Sequence, residues 1–219
     1  DTSLFFLVGC GIIGYNNLEA AMSDKYKYPA ISPSQLSGQQ AITGLNGEKL
    51  STLSEYWSWA HSDLLGNTER GIFAEYLVRL SLKIQEPRQA WGKYDLLYKD
   101  KIRIEVKSSA YIQTWAQDKL SAIKFSIQPS YGWNYENSSY EKEKKRQADI
   151  YIFCLLTCQE QAKIQPTDVS QWRFFVLPTK KLNAYSLTAK SISLNALKKL
   201  PVMECDFAQL KNTVDSIEL

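Results

Sequence analysis

The sequence is poor in histidine and cysteine. It has one His and four Cys among 219 residues. None of them has the spacing of a zinc site, so a zinc finger or a histidine-based metal centre is excluded. The cysteines are too few for a disulfide scaffold, and we expect Cys154, inside the apolar run 150–156, to be a small core residue. His61 follows an aromatic stretch and is expected to be structural rather than catalytic.

Long hydrophobic runs and a strong charge bias are also missing. The apolar run at residues 4–13 is too short to cross a bilayer, so we expect a soluble, cytoplasmic protein with no membrane partner. The net charge of +3 is too small to argue for nucleic acid by itself. Apolar residues make up 44% of the chain and charged residues 22%, which excludes a mostly disordered protein.

The first 21 residues differ in character from the rest. Met22 is followed by polar residues and resembles a natural start, so residues 1–21 are interpreted as an upstream extension or a pairing segment. Leu7–Cys10 resembles a lipoprotein cleavage site but lacks a preceding positive segment, which leaves a lipid-anchored surface protein as a weaker alternative. We expect residues 1–50 to form an extension and arm, and residues 51–219 a single domain with its core at about 68–177.

Two amphipathic helices are predicted next. Thr52–Glu55 matches a capping box, and apolar residues recur after it with helical spacing to residue 64. A second helix, residues 68–83, carries apolar residues on two sides, so it is expected to be buried on both. Glu75 on this helix is then expected to point into a shielded place. The aromatic segment Tyr56–Trp59 is interpreted as core packing, with base stacking as the alternative.

Residues 91–107 contain the most informative pattern. Ile102–Lys107 alternates strictly between apolar and charged residues, which predicts a strand with one buried face. In a hairpin centred on Asp100, one face collects the apolar residues Tyr94, Leu96, Tyr98, Ile102, Ile104 and Val106. Asp95 then lies directly opposite Glu105. A shift of one residue would mix apolar and charged residues on both faces, so the pattern favours this register and a loop of three residues.

The later segments have simpler patterns. Residues 123–127 alternate as a strand, residues 149–157 form a near-continuous apolar run typical of a central strand, and residues 172–177 form another strand. Residues 128–140 are interpreted as a mobile loop and residues 141–147 as a charged helical turn or two, solvated rather than bound to DNA. Ser193 is expected to cap a short helix reaching residue 200, and a last helix is expected near Asp206.

Two carboxylates opposite each other on a sheet face repel, which costs up to about 1 kcal/mol in water and more when shielded. Asp95 and Glu105 form such a pair, and a shielded Glu75 would add to the repulsion. A fold would accept this if a cation binds there. Lys107 supplies one positive charge, and oxygen-only ligands favour Mg²⁺ or Mn²⁺ over zinc.

The chain here resembles bacterial members of the PD-(D/E)XK nuclease superfamily. The resemblance covers about residues 68–157 and consists of Asp95 at the start of a hairpin, Glu105-Val106-Lys107 on its second strand, and Glu75 on the preceding helix. Tyr94 stands where the proline of the motif would be. The resemblance implies an α/β restriction-endonuclease-like fold, with a mixed central sheet flanked by helices, an N-terminal arm and extra helices.

The resemblance also implies the site. Asp95, Glu105 and Glu75 would hold Mg²⁺, for which Mn²⁺ could substitute, with the main-chain carbonyl of Val106 as a further ligand. Lys107 would position water or stabilise developing charge. Gln113 and, at lower rank, Ser108 would support the site or contact phosphate. The activity implied is a metal-dependent endodeoxyribonuclease with DNA as partner, and a homodimer would supply two sites for cutting both strands.

Other interpretations fit the same residues. Asp95, Glu105 and Lys107 also fit the solvated face of an ordinary antiparallel hairpin, with the lysine bridging the acids. Glu75 alone fits a helix surface. A catalytically inactive nucleic-acid-binding or assembly module on the same fold is the alternative function. Neither the substrate structure nor a role in restriction, repair, recombination or defence is readable from the sequence.

Overall fold

The computed structural model describes residues 27–134 and 137–218. The chain divides into two units, Asp1–Ser32 and Pro33–Leu219. The described strands and helices belong to the second unit. The expectations for residues 1–21, including the one for Leu7–Cys10, lie outside the described residues. The division expected at residue 50 stays a prediction.

The described part of the chain contains eleven strands and five α-helices. The strands are β1 (Ala41–Thr43), β2 (Lys49–Thr52), β3 (Leu96–Tyr98), β4 (Ile102–Ala110), β5 (Lys124–Ser126), β6 (Ser130–Asn134), β7 (Ser139–Lys145), β8 (Ile150–Leu156), β9 (Trp172–Pro178), β10 (Ser191–Ser193) and β11 (Met203–Cys205). The α-helices are α1 (Leu53–Ala60), α2 (Asn67–Leu82), α3 (Thr179–Tyr185), α4 (Leu194–Leu197) and α5 (Leu210–Asp215).

A mixed sheet of five strands, in the order β11-β9-β8-β4-β3, organises the unit. Strand β8 lies in the middle, parallel to β4 and antiparallel to β9. Every residue of β8 is buried, because both faces of the sheet are covered, which explains why its sequence is a continuous apolar run rather than an alternating one. The central strand predicted at residues 149–157 is therefore confirmed. Cys154 within it is fully buried, as expected.

The hairpin of β3 and β4 has the register that the sequence predicts. Leu96 pairs with Ile104 and Tyr98 with Ile102, so the turn comprises residues 99–101. Lys99 and Asp100 adopt left-handed backbone conformations with φ of 52° and 57°, which closes this three-residue turn. The alternation of β4 sends Ile104 and Val106 to one face of the sheet. Glu105 and Lys107 consequently project toward the other face.

Each face of the sheet has its own core. One core joins the apolar side of β3 and β4 and alternate residues of β8 and β9 to helices α2 and α5. The other core lies under β5, β10, α3 and α4, and Phe125, Phe153 and Phe175 are among its buried residues. Both cores extend across β8. Strand β4, which carries Glu105 and Lys107, is therefore fixed on one side by its pairing with β8, the most buried strand of the sheet.

Helix α2 is buried along one side, where the sequence predicted two. Its buried residues, Arg70, Ala74, Leu77, Val78 and Leu82, form a single stripe. Leu80 is 47% exposed, since within residues 27–134 and 137–218 no element covers the side of the helix away from the sheet. The prediction of two buried sides was wrong. Glu75 lies at the margin of the buried stripe rather than opposite it.

Three further predictions are corrected by the described structure. Residues 139–145 form strand β7, not a charged helix, and pair with β6, which lies within the segment expected to be a loop. The capping box at Thr52 is present and starts α1. Helix α1 nevertheless has no buried residue, and Trp59 is 84% exposed. The expectation that Tyr56–Trp59 packs in the core was therefore wrong, and base stacking by this segment stays a prediction.

Candidate active site at the start of the central hairpin

Asp95 lies at the point where the chain enters β3. Its N–H donates to the carbonyl of Ile104, 3.0 Å away, which extends the β3–β4 ladder by one residue and sets Asp95 opposite Glu105. The N–H of Val106 then donates to Asp95 Oδ2 at 2.7 Å. The Asp95 carboxylate thus accepts a hydrogen bond that a main-chain carbonyl of a paired strand would otherwise accept. This bond fixes the carboxylate at the edge of β4.

Glu105 and Lys107 lie two residues apart on β4, so their side chains share one face. Lys107 Nζ is 2.5 Å from Glu105 Oε1, and the two side chains are only 28% and 20% exposed. A freely solvated hairpin face would leave long charged side chains largely in water. The lysine therefore binds one of the acids, as the ordinary-hairpin interpretation expects, but the two side chains are more shielded than that interpretation implies.

Glu75 reaches the same region from helix α2. Its side chain is 12% exposed and accepts from Arg88 Nε at 2.6 Å and from Arg88 Nη2 at 3.2 Å. Although α2 covers the face opposite to the Glu105 side chain, Glu75 is close enough to Asp95, Glu105 and Lys107 to affect their electrostatics. The acids approach one another around the sheet edge where Asp95 lies. Glu75 is thus not an ordinary helix-surface residue.

The pKa values show that the site holds excess negative charge. Burial, and then the neighbouring Asp95 carboxylate, raises the pKa of Glu105 to about 7. Burial also raises the pKa of Asp95 and of Glu75, although Lys107 and Arg88, respectively, oppose the shift. The pKa of Lys107 is raised because the attraction of Glu105 and Asp95 outweighs the effect of its burial. Three carboxylates thus share two cations, and they gain less from ionising than acids in water do.

This site is compatible with a hard dication, although the side chains are not gathered around one point. Within residues 27–134 and 137–218, no three His, Cys, Asp or Glu side chains are grouped as a ready-made metal site. Two of the three acids are instead held by Arg88 and Lys107. Carboxylate oxygens that are partly buried and short of positive charge are the donors that Mg²⁺ and Mn²⁺ prefer. Binding would require Glu75 and Glu105 to loosen their present ion pairs.

The two supporting residues predicted after the motif lie elsewhere. The regular pairing of β4 with β8 sends Ser108 to the sheet face opposite Glu105. The buried side-chain amide of Gln113 accepts from Arg70 at 3.0 Å and donates to the carbonyl of Ala110 at 2.8 Å. Gln113 therefore ties the start of α2 to the end of β4, and its role as a phosphate contact stays a prediction.

Arg88 and Tyr151 belong to the site but escape the sequence argument. Arg88 lies in the irregular segment between α2 and β3, where no periodicity marks it. Tyr151 pairs with Glu105 across the β4–β8 ladder, and burial followed by Glu105 raises the pKa of its phenol. The apolar run around Tyr151 predicted a buried strand, but the pairing partner depends on strand order. His61 lies outside this site, with Nδ1 2.8 Å from Glu69 Oε2.

Comparison with known families places the chain. Residues 50–196, two thirds of the sequence, match the family described as bacteriophage T4 endonuclease IV. The chain belongs to this family. The match spans helix α2, the β3–β4 hairpin and β8, so every residue of the site lies inside it. Family membership confirms the nuclease class predicted from the sequence, at the level of an endonuclease family and without testing the PD-(D/E)XK assignment.

Other comparisons add little. Neither the curated proteins nor the solved structures gave a match to this chain. In the part of the chain that the structure describes, no helix has both the length and the apolar character needed to cross a membrane.

Proposed function

We propose that this member of the endonuclease family is a Mg²⁺-dependent endodeoxyribonuclease whose active site consists of Glu75, Asp95, Glu105 and Lys107. The observation that carries the proposal is the pair of partly buried acids on the hairpin, Asp95 opposite Glu105, with Lys107 bound to Glu105 and Glu75 near enough to shift the pKa of Glu105. Clusters of perturbed acids are typical of catalytic and metal sites. The endonuclease family of residues 50–196 supports the reaction class.

The donor set fits the proposed metal. Asp95 and Glu105 would be its ligands, with Glu75 and the main-chain carbonyl of Val106 as further donors. When bound, Mg²⁺ would stabilise the negative charge that develops on the phosphodiester in the transition state, and it would lower the pKa of a bound water molecule. Mn²⁺ offers similar chemistry to the same hard oxygen donors.

The side chains of the protein have distinct roles in this proposal. The hydrogen bond from the Val106 N–H orients Asp95, so this carboxylate is preorganised. Glu105 has a pKa of about 7 without metal, and a bound dication would favour its ionised, ligating form. Lys107 has a raised pKa and stays an ammonium group, which would stabilise negative charge on the phosphate. Arg88 neutralises Glu75, and a bound metal ion would take its place.

The finer assignments belong to the same proposal. The order of helix, hairpin and parallel strand supports a PD-(D/E)XK site on a restriction-endonuclease-like fold, and DNA is the substrate such a site would take. A homodimer would provide two sites for the two strands. The alternative is an inactive nucleic-acid-binding or assembly module, and the ion pairs that hold Glu75 and Glu105 are the observation in its favour.

Plasmid cleavage in Mg²⁺ separates these two functions. We expect wild type to nick or linearise DNA and Asp95→Asn to lose about 10²-fold or more in rate, since an amide is a weaker ligand and lacks the charge. Asp100→Asn is the matched control, because Asp100 is exposed in the turn of the same hairpin, and it should cleave as wild type does. Equal activity in both variants, or none in wild type, would contradict the proposal.

A further inference from the structure

Strands β6 and β7 form a two-stranded sheet of their own, and one face of it is rich in aromatic rings. Trp133 pairs with Tyr140 and Tyr131 with Lys144 across the strands. The ring centroids of Trp133 and Tyr140 are 4.6 Å apart, and Lys144 Nζ lies 5.0 Å from the centre of the Tyr131 ring. These four residues define the aromatic–lysine face. Lys142 is an exposed neighbour on β7.

The rings of this face are unusually exposed. Tyr140 is 64% exposed and Tyr131 is 47% exposed, although large aromatic side chains normally contribute to a core. Adjacent exposed rings on a short sheet are a mark of an interaction surface. A surface of rings and lysines suits a partner that offers flat apolar groups and negative charge together, which is the chemistry of a nucleic acid.

Glu141 of the same strand turns away from this face. Gly132 lies between Tyr131 and Trp133, so it points to the opposite side of the sheet, and a Cβ on Gly132 would be 2.9 Å from the Glu141 carboxyl carbon. On that side Glu141 binds Lys93 at 2.8 Å and Lys145 at 3.0 Å. The two lysines lower the pKa of Glu141 to about 2. The carboxylate of Glu141 is therefore ionised, and its charge is balanced by two lysines on the side away from the aromatic–lysine face. It does not weaken the attraction of that face for phosphate.

The hairpin has a fixed root. Arg146, which follows β7, is buried and donates from Nε to the carbonyl of Ile127 at 2.9 Å and from Nη1 to the carbonyl of Ser186, also at 2.9 Å. Gln147 donates to the carbonyl of Ser130 at 3.2 Å. These bonds hold both ends of the hairpin against the second core, so its exposed face has a defined orientation before any partner binds.

A cavity lies between the hairpin and the segment that leads into β3. It has a volume of about 430 Å³ and is lined by Lys93, Tyr94, Arg103 and Trp133, among others. Trp133 is part of the aromatic–lysine face, whereas Tyr94 directly precedes Asp95 in the chain. The ion pair of Lys93 with Glu141 fixes the distance between the two. Aromatic rings and two cations that are paired with Glu141 and Asp149 thus line the space between the hairpin and the residue before Asp95.

We infer that the aromatic–lysine face of the β6–β7 hairpin holds the DNA substrate of the proposed nuclease, beside the cavity that reaches Tyr94, the residue before Asp95. The inference rests on the proposed function for the identity of the partner. Lys144 contacts phosphate, and the rings of Tyr131 and Tyr140 contact bases or sugars. The binding is electrostatic in part, so it weakens as the salt concentration rises.

The double variant Tyr140→Ala/Lys144→Ala tests the face, and helix α3 offers a matched control. Lys181 and Tyr185 are also an exposed lysine and an exposed tyrosine four residues apart, so Lys181→Ala/Tyr185→Ala removes the same groups elsewhere. Fluorescence anisotropy with a fluorescein-labelled oligonucleotide, single-stranded or duplex, in EDTA measures affinity of the full chain without turnover. We expect the hairpin variant to bind about tenfold or more weakly and its log–log salt slope to fall by about one.

The control variant should bind within about twofold of wild type. Affinity of the hairpin variant equal to wild type, or equal weakening in both variants at unchanged unfolding temperature, would overturn the inference. Failure of the proposed function gives a different result, because wild type would then not cleave in Mg²⁺ while binding in EDTA still depended on the hairpin. If cleavage occurs, the hairpin variant should show a raised KM at nearly unchanged kcat.

Discussion

The Glu105→Gln variant is expected to lose DNA cleavage by about 10³-fold and yet to unfold at a higher temperature than wild type in metal-free buffer near pH 8. The two effects have one cause. Glu105 is partly buried beside Asp95, and its pKa is raised to about 7, so its charge is unfavourable for the fold and is retained for the chemistry. Glutamine keeps the shape and removes the charge.

The sign of the stability effect follows from proton binding. The pKa of Glu105 is about 7 in the folded chain, compared with an ordinary value of 4.5. Between these values the folded state binds more protons than the unfolded state, so stability falls as the pH rises through this window. Above about pH 7 the ionised Glu105 costs about 3 kcal/mol. Below about pH 4.5 it costs nothing, because it is then protonated in both states.

Thermal unfolding of wild type and Glu105→Gln from about pH 4 to 8 measures this difference. Asp95 and Glu75 also have raised pKa values and remain in both proteins, so the difference reports Glu105 together with its interaction with these acids. The variant should be more stable at the upper end of the range, with the advantage vanishing at the lower end. Glu160→Gln, at a side chain 66% exposed, should match wild type throughout. An advantage that grows as the pH falls would contradict the assignment.

Removal of divalent metal is expected to abolish cleavage altogether. EDTA should stop the reaction, and Mg²⁺ or Mn²⁺ in excess should restore it. The reason is that the cationic side chains among the described residues do not balance the negative charge of the three acids, so the site needs a dication. The same ion should stabilise the fold. A ligand at 100 times its Kd adds about 2.7 kcal/mol to the free energy of unfolding, and relief of carboxylate repulsion is the source of that gain here.

Thermal unfolding with and without Mg²⁺ near pH 8 checks the second part of this expectation. Wild type and Asp100→Asn should both shift to higher temperature, whereas Glu105→Gln should shift far less. Cleavage that persists in EDTA would refute the metal requirement. An equal shift of all three proteins would place the ion away from Glu105.

The sequence predicted the parts of the structure that depend on local periodicity. The register of the β3–β4 hairpin was predictable because the period of two leaves one pairing that separates apolar from charged residues. The central position of β8 was predictable because only a strand covered on both faces is apolar throughout. These two features place Asp95 opposite Glu105, so the centre of the site could be derived before its geometry was known.

The features that the sequence did not predict depend on long-range packing. Residues 139–145 carry enough charge to resemble a helix surface, and their partner strand β6 lies beyond a turn, so only pairing identifies β7. Arg88 joins Glu75 across 13 positions of chain without a periodic signal. Leu80 looks like a core residue by its spacing, but it stays exposed because no element of the described structure covers that side of α2.

Anomalous diffraction from crystals grown with Mn²⁺ tests the central claim most directly. The account predicts one or two strong peaks beside the carboxylates of Asp95 and Glu105, with Arg88 displaced from Glu75 where that acid also binds. The peaks should be absent from Glu105→Gln crystals grown in the same way. Manganese bound elsewhere, with the Glu105–Lys107 and Glu75–Arg88 pairs intact, would contradict the account.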